Sequence, residues 1–70
     1  MNIGKIVKEE RTKQNISQLT LGLAIGNDSA YICKIENNKK EPSLRTIIKI
    51  ANALNISPLD FLEKIISETE

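Results

Sequence analysis

The sequence predicts an all-α domain of five helices. Three observations carry this. Apolar residues recur at the three- and four-residue spacing of one helix face. Helix-opening residues stand ahead of the periodic stretches, at Ser17, Asp28, Ser43 and Ser57. Asparagines that tolerate a left-handed terminus stand behind them, at Asn15, Asn38 and Asn55. The chain of 70 residues is 40% hydrophobic, almost wholly Ile, Leu, Val and Ala, with Tyr31 and Phe61 as the aromatics. That balance suits a small helical core rather than disorder. One domain is expected over residues 1–66, followed by a frayed acidic tail at 67–70.

The first helix is expected over residues 3–14, with Ile3, Ile6 and Val7 as its apolar stripe and Arg11 one turn further along the same face. Arg11 has two readings at this point. Its stem packs while the guanidinium reaches water, or it pairs with an acid from elsewhere in the chain. The second helix opens at Ser17, with Ile16 and Leu21 spaced as a hydrophobic staple. Leu21, Ala24 and Ile25 form its expected buried side. Gly22 inside this helix costs about 1 kcal/mol relative to Ala, which close approach of a neighbouring helix would explain. Leu19 and Leu23 fall off the stripe, either as ordinary surface leucines or as a protein contact.

Gly26 and Asn27 make a tight turn, and Asp28 caps a third helix expected to reach residue 37. Ile32 and Ile35 form the inner face of that helix. Ser29, Ala30, Cys33, Lys34 and Asn37 form a small, polar outer face, and such a face suits a DNA major groove, which admits one α-helix. Cys33 is read as a small filler or as a redox-sensitive thiol, with Lys34 as the one cation beside it in sequence. Asn38 and the charged loop Lys39-Lys40-Glu41 lead to Pro42 and the cap Ser43. The fourth helix carries Leu44, Ile47, Ile48, Ala51 and Leu54, the strongest helical periodicity in the chain. After Asn55, the run Ser57-Pro58-Leu59-Asp60 combines a cap, a first-turn proline and an acid. The fifth helix carries Leu59, Phe61, Leu62, Ile65 and Ile66, more apolar surface than one side of a short helix needs. Phe61, Ile65 and Ile66 are the candidate dimer interface, or else they complete the core.

Charge is unevenly placed. Residues 1–49 hold nine Lys and Arg against five acids, while residues 50–70 hold Lys64 against four acids, so a basic body of +4 and an acidic end of −3 underlie the net +1. A basic body suits an anionic partner. The chain has no histidine and one cysteine, no phosphate-cradling glycine loop and no nucleophile elbow. No catalytic site, metal or cofactor is therefore expected. A single cysteine and the lack of a signal-like N-terminus point to the cytoplasm, and no apolar run approaches a membrane span.

Taken together, Ser17-Gln18, Leu21, Ile25-Gly26, Tyr31-Ile32, Lys34-Ile35-Glu36-Asn37 and Pro42-Ser43-Leu44, with I-x-K-I-A-x-A-L-x-I-S from position 47 to 57, resemble the Cro/repressor-type (Xre-family) helix-turn-helix DNA-binding domain. The resemblance covers residues 3–62. It implies a five-helix, lambda-repressor-like fold with the reading motif at helices 2 and 3, and a sequence-specific transcriptional regulator, most plainly a repressor. It also implies a homodimer on double-stranded operator DNA with related half-sites, and Arg11 and Glu36 as the family's buried ion pair, able also to present a phosphate contact. Asparagines 15, 38 and 55 stand where the family usually has glycine, and Gly22 where alanine is usual.

On this reading Ser29, Ala30, Tyr31 and Lys34 are the base-contact candidates, because Ser bonds several base edges, an Ala methyl packs on a thymine methyl and Lys favours guanine acceptors. Tyr31 is read equally as packing between helices. Gln18, Arg11, Asn37, Lys39 and Lys40 are the phosphate-contact candidates, Gln18 at a helix N-terminus where anions are favoured. The alternative function is a protein-interaction module, such as an antitoxin-like or regulatory partner, using the exposed apolar residues of helices 2 and 5. A regulatory protein partner is compatible with either.

Overall fold

The computed structural model describes residues 3–69. Five helices lie among them: α1 (Ile3–Lys13), α2 (Gln18–Ala24), α3 (Ser29–Glu36), α4 (Leu44–Ala53) and α5 (Pro58–Thr69). Their ends are written in local chemistry. Ser17, Asp28 and Ser43 hold extended backbone just before α2, α3 and α4, and their side-chain oxygens accept from the amides of Thr20, Tyr31 and Thr46. Each cap satisfies an N–H that has no partner within the helix.

The other ends share one device. Asn15, Asn38 and Asn55 take φ of 57°, 58° and 58°, and Gly26 takes 79°. A left-handed residue there turns the chain so that the next amide reaches back five residues. Ile16 thus donates to the Arg11 carbonyl at 3.1 Å, Asn27 to Gly22 at 2.7 Å, Lys39 to Lys34 at 2.8 Å and Ile56 to Ala51 at 2.9 Å. Ile16 and Ile56, just past two of these turns, pack against the core.

The core takes residues from every helix: Ile3, Ile6 and Val7; Leu21 and Ile25; Ile32 and Ile35; Ile47, Ile50, Ala51 and Leu54; Phe61 and Ile65. Helix α3 packs on α2 and α1, and α5 closes the other side against α4 and α1. Gly22 lies against the backbone of Asp28, where a Cβ would collide with the Asp28 carbonyl. The close approach expected of this glycine is real, and it is made to the cap of α3.

Three expectations need correction. Ala24 is exposed, because the chain turns away at Gly26 and leaves Leu21 and Ile25 as the buried pair. Leu44 and Ile48 lie at the solvent edge of α4, and Ile50 takes their place beside Ile47, Ala51 and Leu54. Phe61 and Ile65 are buried within the single chain, so only Ile66 of the three proposed interface residues offers its side chain to a partner. Past residue 66, where the tail was expected to begin, the chain is still helical. Helix α5 continues to Thr69, the Ser67 hydroxyl donates to the Glu63 carbonyl at 3.0 Å, and Lys5 lies 3.8 Å from Glu68. Glu70, the end of that expected tail, lies outside the described residues.

Two polar ties fix the outer helices. The Gln14 amide donates to the Leu54 carbonyl at 2.6 Å, joining the end of α1 to the end of α4. The buried Glu10 carboxylate accepts from Lys64 of α5, with Lys13 3.5 Å away. The Lys64 hydrogen bond holds the Glu10 carboxyl below its usual pKa against the opposing effect of burial, and the same bond raises that of Lys64.

Candidate nucleic-acid interface

Helix α3 presents two different faces. Ile32 and Ile35 point into the core. On the opposite side Ala30, Lys34 and Asn37 are exposed, and Ser29 and Cys33 are half-buried at the margin. Ala30, Cys33, Lys34, Asn37 and Lys39 line one open concavity. The Asn37 amide nitrogen donates to the Cys33 carbonyl at 2.8 Å and approaches its sulfur at 3.3 Å, so it is held along the last turn of the helix. Lys39 and Lys40 are exposed in the loop beyond. The expected outer face is therefore assembled on one surface, with short side chains in its middle and cations at its end.

Tyr31 is half-buried and packs against the core, and the Lys40 ammonium lies 5.5 Å from its ring centroid. A cation over an aromatic face is attracted by the ring quadrupole. The contact ties the loop after α3 to the first turns of that helix. Of the readings open for Tyr31, packing between helices is the one its surroundings match.

Behind this surface Arg11 and Glu36 form a bidentate ion pair. Arg11 Nε donates to Glu36 Oε2 at 2.7 Å and Nη2 to Oε1 at 3.1 Å. The third guanidinium nitrogen, Nη1, donates to the Ile16 carbonyl at 2.7 Å. The side chains are 11% and 3% exposed. The Glu36 hydrogen bond raises the Arg11 pKa further above its ordinary value, outweighing desolvation. Of the two sequence readings of Arg11, the ion pair is the one formed. These three bonds use three of the five guanidinium N–H groups, so the ion pair and the expected phosphate contact are compatible.

Gln18 joins the same cluster from the first residue of α2. It is half-buried, and its amide nitrogen donates to Glu36 Oε1 at 3.1 Å. Neither this bond nor the Ile16 carbonyl's part in the cluster was visible in the sequence. Gln18 and Glu36 are 18 residues apart on different helices, and no local pattern encodes such a pair. Among the described residues no group of three or more His, Cys, Asp and Glu is placed to hold a metal ion, and no helix is long and apolar enough to cross a membrane.

This geometry, two short helices locked by a turn with one polar face outward, is that of a helix-turn-helix motif at α2 and α3. The chain belongs to the helix-turn-helix family, whose model matches residues 7–61, and within it to the Cro/repressor, or Xre, type. Among its relatives is the ImmF control region 10 kDa protein of Bacillus phage phi105, 30% identical over 54 residues. That match covers 77% of this chain, which spans only 60% of the length of that relative. Among solved structures the chain is similar to the restriction-modification controller protein C.AhdI of Aeromonas hydrophila, at 35% identity and a TM-score of 0.79, covering 86% of this chain and 91% of that one. It is also similar to the P22 c2 repressor, solved in complex with a synthetic operator, at 26% identity and a TM-score of 0.76, covering 87% and 92%. The lambda-repressor-like fold expected from the sequence is the fold observed.

Proposed function

We propose that this chain is a sequence-specific, double-stranded DNA-binding transcriptional regulator that acts as a repressor by occupying its operator. The observation that carries the reading is the outer face of α3. Its short side chains leave room for the helix to lie deep in a major groove, and the ion pair behind it holds that helix rigid. Ser29, Ala30 and Lys34 are the proposed base-edge contacts, with Tyr31 supporting them from the helix margin. Asn37, Lys39, Lys40 and the free amides of the first turn of α2 are the proposed phosphate contacts. The similarity to a phage control-region protein, a controller protein and an operator-bound repressor supports the same reading. So few and such short base contacts per subunit favour a homodimer on two related half-sites about one helical turn apart.

The test is enrichment of duplexes from a random pool, followed by titration of the selected duplex at several salt concentrations. Binding is expected to weaken steeply as salt rises, because phosphate neutralisation releases counterions. Combining Lys34→Glu with Lys39→Glu should abolish it while the protein stays folded, both side chains being exposed. No enrichment, or binding indifferent to salt and to this charge reversal, sinks the reading. A second reading, a protein-interaction module, is favoured by Leu19 and Leu23, which are 53% and 65% exposed one turn apart on α2. The charge-reversed variant separates the two, since an apolar protein contact at α2 would survive it.

A further inference from the structure

Glu36 is the most heavily engaged side chain of the motif. Its carboxylate is 3% exposed and takes three donors: Arg11 Nε from α1, Arg11 Nη2, and the Gln18 amide from the first turn of α2. Arg11 in turn donates to the carbonyl of Ile16, two residues before Gln18. The cluster thus links the first turn of α2 to the last turn of α3 by a route other than the Gly26 turn. The two ends of the motif that meet DNA are joined through one carboxylate.

An ordinary phosphate ligand on a helix N-terminus has its amide free for solvent or anion. Here one N–H of Gln18 is committed to a charged acceptor inside the protein, and bonds of that kind are stronger than neutral ones. We propose that Gln18 is a positioning residue of the reading motif: acting through Glu36, it fixes the start of α2 against the end of α3 and so sets how α3 is presented to base edges. This rests on the DNA-binding reading above. Its consequence is that losing the Gln18 amide reduces discrimination among DNA sequences while leaving charge-driven binding intact. A lost phosphate contact would do the reverse.

The experiment compares Gln18→Ala with the unmodified chain in three measurements. The first is the affinity for a mixed-sequence duplex of about 20 base pairs at one fixed salt concentration, which reads phosphate contacts. The second is the ratio of affinities for a duplex selected from a random pool and for that mixed-sequence duplex, which reads base recognition. The third is backbone amide hydrogen exchange at Asn37 and Asn38 in free protein, which reads the end of α3 without DNA. The expected result is an unchanged affinity for the mixed-sequence duplex, a ratio lowered about tenfold, and faster exchange at Asn37 and Asn38. A general loss of stability lowers both affinities together and leaves their ratio unmoved, so it cannot imitate this pattern. Weaker binding to both duplexes by the same factor, with the ratio and the exchange unchanged, makes Gln18 a phosphate ligand and overturns the proposal. If the unmodified chain binds neither duplex, the DNA-binding reading itself has failed. Exchange then decides the Gln18–Glu36 tie alone: unchanged rates overturn it, and faster rates keep the tie without its role in reading DNA.

Discussion

A buried bidentate ion pair is a poor source of net stability and a severe liability once broken, because desolvation of both charges offsets their attraction. Arg11 and Glu36 fit that description, since neither carries more than a small exposed edge. Replacing Arg11 by Met keeps the packing of the stem and leaves the buried Glu36 carboxylate without a counter-charge, with the Gln18 amide as its remaining donor. Unfolding in urea should show a loss of about 3–5 kcal/mol for Arg11→Met. Adding Glu36→Leu removes the stranded charge, and the double variant should recover a large part of that loss. A double variant as unstable as the sum of two single losses would mean the pair stabilises the fold outright. Arg11 was marked in the sequence as an anomaly on an apolar stripe, and the family pattern named Glu36 as its partner. Gln18 was placed by its position in α2 alone, and the third donor to Glu36 could not be found that way, because the contact exists only once α2 and α3 have packed.

At the scale of elements, what is local was readable and what depends on a neighbour was not. The caps Ser17, Asp28 and Ser43 act on amides three residues away, and Asn15, Asn38 and Asn55 act through their own φ, so each could be identified from a few adjacent residues. Helix α4 shows the limit. Leu44, Ile47, Ile48, Ala51 and Leu54 do share a broad helical face, yet the buried arc is centred on Ile47, Ile50, Ala51 and Leu54. Periodicity reveals that an apolar face exists, whereas the edge of that face is set by where α5 and α2 lie. Gly22 makes the same point for backbone packing. Alanine is the better helix former by about 1 kcal/mol, so substitution in an isolated helix would be favourable. Here a methyl group would be driven into the Asp28 carbonyl at the cap of α3. Gly22→Ala is therefore expected to lower stability by about 1–3 kcal/mol, read by thermal or urea unfolding. A gain in stability would show that α3 can move aside, and would contradict the rigid α2–α3 frame that the proposed reading of DNA by α3 requires.

The whole molecule places its two charged halves in different roles. The cationic side chains Lys34, Lys39 and Lys40 lie at and just beyond α3, while Asp60, Glu63 and Glu68 lie on α5. With Phe61 and Ile65 committed to the core, the apolar surface that α5 offers to the proposed homodimer differs from the one expected from the sequence. It consists of Leu59, 78% exposed, the half-buried Leu62 and Ile66, 58% exposed, spaced three and four residues apart along α5. Exposed Asp60 and Glu63 stand on the same helix. A homodimer formed through this stripe would bring like charges together, and added salt screens such repulsion. DNA binding has the opposite salt dependence, since its favourable term is counterion release. Sedimentation equilibrium over a concentration series should therefore show a dimer at micromolar protein that tightens as salt is raised from about 0.05 to 0.5 M, while operator affinity falls over the same range. Leu59→Glu combined with Ile66→Glu should give a monomer with a melting temperature close to that of the parent subunit, because both side chains already face solvent. Phe61→Ala, by contrast, should cost about 3–5 kcal/mol of subunit stability. A chain that sediments as a monomer at every concentration and salt removes α5 as an interface off DNA, and leaves cooperative pairing on adjacent half-sites as the way two subunits meet.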